Sequence, residues 1–126
     1  MFFTILQVAL GGAIGASARY LTGVGILRVF GQMGFPLGVI TVNVLGSFIM
    51  GAFVVFAANK GLTHWAPFVM TGMLGGFTTF SSFSLETVTL IERGAFGLAT
   101  LYVLLSVGLS IGGLMLGMVA TRGVFA

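Results

Sequence analysis

Charge is nearly absent from this chain, and that absence constrains its fold more than any motif does. Five Lys/Arg and two Asp/Glu punctuate 126 residues, 58% of which are hydrophobic. A water-facing surface typically needs about 25% charged residues, and this chain carries 6%, so it cannot cover one. The polar punctuation leaves four apolar stretches, over residues 2–28, 35–58, 63–92 and 94–121. Each reaches or exceeds the ~20 residues with which a helix crosses a bilayer. Gly31-Gln32-Met33-Gly34 closes the first, Pro36 suits the first turn of the second, and Asn59-Lys60-Gly61 ends it. The expected fold is an all-α integral membrane protein, one domain over residues 1–126 with four transmembrane helices. The first stretch begins at residue 2 and contains Arg19, which fits a cleavable signal peptide poorly.

The same arithmetic excludes whole classes of function. The formal charge of +3 rests on scattered residues, which cannot track a phosphate backbone, so no nucleic-acid partner is expected. With no cysteine there is no disulfide, no Cys-type zinc site and no thiol chemistry. One histidine and two carboxylates leave almost nothing from which to build a hydrolase, and the chain is not expected to be an enzyme.

The 21 glycines are informative by spacing. Gly11/Gly15, Ser47/Gly51, Gly72/Gly76, Gly108/Gly112 and Gly113/Gly117 repeat at i, i+4. Small residues at that spacing let helices approach closely where lipid supplies no hydrophobic force. Four spans put Lys60 and Arg122 on one side of the membrane and Arg28 and Arg93 on the other. The positive-inside rule works through an excess of Lys/Arg, and two against two is none. A chain without orientation bias can insert both ways, which permits an antiparallel homodimer.

Polar side chains inside a bilayer are costly and point to function by default. Asn43 and Ser47 share one helical face; they read either as interhelical glue or as donors to a ligand. Arg19 reads either as an interfacial anchor or as a charge at the mouth of a water-filled cavity. Tyr102, Ser106 and Ser110 form a hydroxyl stripe at i, i+4, i+8 along an otherwise apolar helix. The run Gly75-Gly76-Phe77-Thr78-Thr79-Phe80-Ser81-Ser82-Phe83-Ser84-Leu85-Glu86-Thr87 makes a poor helix. A break at mid-membrane is tolerated only where the freed backbone is buried or lines a cavity, and its carbonyls then become cation ligands. Phe80 and Phe83, at i, i+3, read either as core packing or as ring edges that receive an anion. Glu86 is the only carboxylate within a span, while Glu92 beside Arg93 reads as a loop pair.

The run GGFTTFSSFSLET, preceded by TVNVLGS and GGAIGASARY, resembles the Fluc (CrcB) family of fluoride channels across essentially the whole chain. The resemblance implies an antiparallel, dual-topology homodimer in the bacterial inner membrane, with the third helix broken. It implies two fluoride pores, passive export that relieves fluoride toxicity, and a structural Na⁺ at the dimer interface. By position, Gly75 and Thr78 match the backbone-carbonyl Na⁺ ligands, and Phe80 and Phe83 match the pore phenylalanines. Asn43 matches the pore asparagine, and Tyr102, Ser106 and Ser110 match the polar track. Arg19 matches the vestibule arginine and Glu86 the acidic position. Ser81 lies beside it, as does Ser82, where the family often has Thr. A small dual-topology exporter of drugs or cations is the alternative. Its chemistry needs a membrane carboxylate, usually early in the chain, and the first span has none. A structural subunit without transport is the third reading, against which the hydroxyl stripe and the broken helix argue.

Overall fold

The computed structural model describes all residues, Met1–Ala126. Helix α1 spans Phe2–Phe30 and α2 spans Leu37–Lys60. A 3₁₀ turn, Thr63–Trp65, leads into a π-helical segment, Pro67–Leu74, and the short α3, Gly75–Phe77. After two extended residues come α4, Phe80–Glu92, and α5, Phe96–Val124. With 29, 24 and 29 residues, α1, α2 and α5 are about 36–44 Å long and exceed the ~30 Å hydrocarbon core. All three are long and apolar enough to cross a membrane, and apolar all round; α4 is the amphipathic one.

The helices end where chemistry makes them end. Gly61 stops α2 in the left-handed region, φ 67° and ψ 33°, and returns its N–H to the Ala57 carbonyl, a conformation glycine adopts without a Cβ penalty. Arg28 and Lys60 occupy the last turns of α1 and α2, where a cation complements the helix dipole.

Two close pairs organise the bundle: α1 lies along the π-helical segment, and α2 along α5, with α4 packed on α5. Glycines make both seams. A Cβ on Gly15 would collide with the Met73 carbonyl, and one on Gly76 would lie 2.7 Å from the Gly12 carbonyl. Across the other seam, Gly117 meets the Phe48 carbonyl and Gly51 the Leu114 carbonyl just as tightly. Gly108 and Gly112 are different. Nothing in the subunit lies within 4 Å of a Cβ on either, so their spacing packs no helix of this chain.

The interior is small. Only 16 of 126 residues are buried, while Phe2, Phe3, Leu104 and Val124 stand mostly exposed. Such an exterior suits lipid or another apolar surface rather than water. One core cluster joins Ile40, Phe83, Leu90, Ala99 and Tyr102 where α2, α4 and α5 meet.

The third stretch departs from its expected form. Gly75 and Gly76 do not break it: Gly75 is helical, φ −62° and ψ −37°, and α3 includes both. Gly76 packs against α1, so a tertiary contact overrides the low helix propensity of the pair. The chain unwinds one turn later, at Thr78 and Thr79 only. From Phe80 on the helix resumes through the Ser/Thr run, capped by the Thr79 hydroxyl, and Ser84 and Thr87 satisfy their own hydroxyls on the Phe80 and Phe83 carbonyls.

Candidate functional site

The polar side chains of α1 and α2 converge on this break. Thr78 (φ −86°, ψ 159°) and Thr79 (φ −151°, ψ 121°) are extended, so the Thr78 carbonyl and the Thr79 N–H leave the helical ladder, of which the Thr78 N–H is the last rung. The Thr78 N–H and hydroxyl both donate to the Leu74 carbonyl, at 3.0 and 2.9 Å. From α1, Arg19 Nε donates to the Gly76 carbonyl at 3.0 Å, favourable for a cation at the C-terminal end of a helical run. From α2, Asn43 holds Thr79 twice: the Thr79 N–H donates to Oδ1 at 2.7 Å, and Nδ2 donates to the Thr79 carbonyl at 3.0 Å. The Thr79 hydroxyl oxygen caps α4 by accepting from the Ser82 N–H at 3.1 Å. Below the break, a Cβ on Gly46 would strike the Thr78 methyl, so glycine there makes room for the extended chain.

Two cavities flank the break. The larger, about 640 Å³, lies between the second half of α1 and the start of α2, with Arg19, Ser82 and Glu86 on its walls. The smaller, about 310 Å³, is a groove lined by Asn43, Ser47, Thr78, Phe80, Phe83, Ser106 and Ser110 among others. No charged side chain lines this groove; its polar groups are an amide and hydroxyls, which donate hydrogen bonds without a fixed charge.

The expected site residues thus divide between two chambers. Asn43, Phe80, Phe83, Ser106 and Ser110 share the small groove, and Arg19, Ser82 and Glu86 share the large cavity. Phe80 and Phe83 touch, with ring centroids 5.4 Å apart, yet Phe80 is 77% exposed and Phe83 only 9%. Tyr102 lines neither cavity. It is fully buried behind Phe83, ring centroids 5.3 Å apart, with the Phe35 ring edge-on at 5.5 Å. Its hydroxyl and that of Ser106 have no hydrogen-bond partner in the chain. Ser81 is exposed, with its hydroxyl 3.4 Å from that of Thr79. Gly75 is exposed and lines neither cavity. Thr79 is the central residue that sequence reasoning did not single out. Its signal was local: a threonine three residues ahead of Ser82, where a resumed helix needs an N-cap.

Apolar spanning helices, an interrupted helix and a charge-free groove of neutral donors define an α-helical, multi-pass membrane protein with a polar pathway. Comparison with known proteins makes the class specific. The chain matches the family model described as CrcB-like protein, Camphor Resistance (CrcB), over residues 6–118, and it belongs to that family. It is 71% identical over 124 residues to the fluoride-specific ion channel FluC of Ruegeria sp. (strain TM1040), covering 98% of each chain. It is 66% identical over 123 residues to the protein of the same name from Cereibacter sphaeroides (strain ATCC 17029 / ATH 2.4.9), again covering 98% of each. With that from Paracoccus denitrificans (strain Pd 1222) the identity is 52% over 126 residues, the full length of both.

Proposed function

We propose that this chain is a fluoride channel that lets fluoride leave the cytoplasm passively and so relieves fluoride toxicity. The observation that carries the reading is the full-length, 71% identity to a relative named a fluoride-specific ion channel. The groove supports it chemically. Fluoride holds its water tightly, so a pathway must replace that water with donors. A fixed positive charge would bind the ion too firmly to release it. Asn43, Ser106 and Ser110 with the ring edges of Phe80 and Phe83 supply neutral donors instead. Arg19, in the larger cavity, attracts anions toward the entrance, where Ser82 and Glu86 also stand.

The working unit is an antiparallel homodimer with two pores, each copy inserted in the opposite sense. The balance of Lys/Arg across the loops supports dual insertion, and the open side of the groove and the exposed Phe80 support a second copy as the missing wall. A structural Na⁺ fits the break. The Thr78 carbonyl accepts no hydrogen bond within the chain, and Gly75 is open, with only the Met70 carbonyl within 4 Å of a Cβ. The Gly75 and Thr78 carbonyls would hold the ion, which supplies the positive partner that freed carbonyls lack in an apolar setting.

The test is efflux from liposomes that hold only the purified protein. Fluoride should leave through it while chloride stays inside. Equal loss of both anions, or no fluoride loss above empty liposomes, would contradict the proposal.

A further inference from the structure

We propose that Thr79 is the doorway between the two cavities, and that its hydroxyl hands the anion from one to the other. The inference rests on the fluoride-channel reading above, and adds to it a residue with a stated role. Thr79 is the one residue that lines both the 640 Å³ and the 310 Å³ cavity. An ion that moves from Arg19 to the Phe80–Phe83 pair therefore passes this side chain.

The hydrogen bonds leave Thr79 one free function. Its N–H and carbonyl are both held by the Asn43 amide, so its main chain cannot turn toward the ion. A hydroxyl carries one hydrogen and two lone pairs. The oxygen already accepts from the Ser82 N–H, which leaves the hydrogen to donate. Within the chain that hydrogen has one place to go, the Ser81 hydroxyl at 3.4 Å, a long contact for an O–H···O bond. An anion in either cavity is the better acceptor.

Ser106 supplies an independent observation that a ligand enters the groove. It is 5% exposed, lines the smaller cavity, and its hydroxyl has no partner. Buried hydroxyls without partners are uncommon and call for an explanation. A fluoride ion handed on by Thr79 would be that partner. Asn43 then acts as a positioning residue: by fixing the Thr79 peptide on both sides, it aims the hydroxyl rather than serving only as a donor.

Fluoride efflux from proteoliposomes separates the outcomes. Thr79→Ser keeps the hydroxyl and the cap, and should conduct within about twofold of the unaltered protein. Thr79→Val keeps the shape without the donor, and should slow efflux by about tenfold or more, as expected when a polar contact is lost at a barrier. Thr79→Cys introduces the chain's only thiol. Silver ion should block its flux and spare that of Val88→Cys, on the exposed side of α4. The doorway is overturned if Thr79→Val conducts like the unaltered protein, or if silver leaves Thr79→Cys flux unchanged. Should the valine variant fail to fold, the silver experiment decides alone. Absence of fluoride flux in the unaltered protein would instead overturn the channel reading, and the doorway with it.

Discussion

Replacing Asn43 with alanine should release the break without unfolding the bundle. The side chain makes two hydrogen bonds to one peptide segment, at 2.7 and 3.0 Å. Their loss leaves the Thr79 N–H and carbonyl unpaired. A buried group left without its partner costs about 1–3 kcal/mol. Asn43 and Thr79 are half-buried, and water reaching the groove recovers part of that. A local cost of about 1.5–3 kcal/mol is therefore expected, and each ~1.4 kcal/mol changes an opening equilibrium tenfold. Hydrogen exchange followed by mass spectrometry reads this directly. Peptides containing Thr79 should exchange about 10–100 times faster in Asn43→Ala, while α5 peptides around Leu105 keep their protection. Unchanged exchange at Thr79 would refute the clamp, and uniform acceleration across the chain would show that Asn43 supports the whole fold instead.

Other outcomes follow from the same contacts. Gly117→Ala drives a methyl into the Phe48 carbonyl and should destabilise the subunit by about 1–3 kcal/mol in denaturant unfolding in micelles. Gly108→Ala meets nothing in the subunit and should stabilise helix α5 by about 0.5–1 kcal/mol; similar effects from both would refute the glycine seam. Phe83→Ile keeps apolar bulk but removes the ring edge and the tilted ring contact with Tyr102, so fluoride flux should fall sharply while the dimer survives on size exclusion. Single cysteines near Lys60 and near Arg93 should each label from both sides of the membrane; labelling of each from one side would refute dual insertion.

Helix content and the apolar exterior were legible because they follow from composition: α1, α2 and α5 are long runs without interior charge, apart from Arg19. The turn at Gly61 was legible from its dipeptide neighbourhood. What depended on contacts between distant residues was not. Gly75-Gly76 looks like a breaker in isolation, yet Gly76 is helical because Gly12, 64 positions earlier, opposes it. A break within Gly75–Thr87 was legible, but its confinement to Thr78 and Thr79 was not, since Thr79 is held there by Asn43, 36 residues away. Spacing alone does not distinguish Gly113/Gly117, which face α2, from Gly108/Gly112, which face nothing in the subunit. The π-helical register of Pro67–Leu74 likewise has no local signature; it accompanies the close approach of Gly11 and Gly15 to that segment. At the site, residue types were readable and their grouping was not. Tyr102 and Ser110 share a helical stripe, but only Ser110 lines the groove.

The central claim is a passive fluoride pathway, and current across a planar bilayer tests it most directly. With the purified protein in the membrane and a tenfold fluoride gradient, the current should reverse near the fluoride equilibrium potential, about 59 mV from zero for a single charge. That reversal should not move when chloride or pH gradients are imposed. A reversal potential that follows chloride or protons, or fluoride movement without current, would contradict the account.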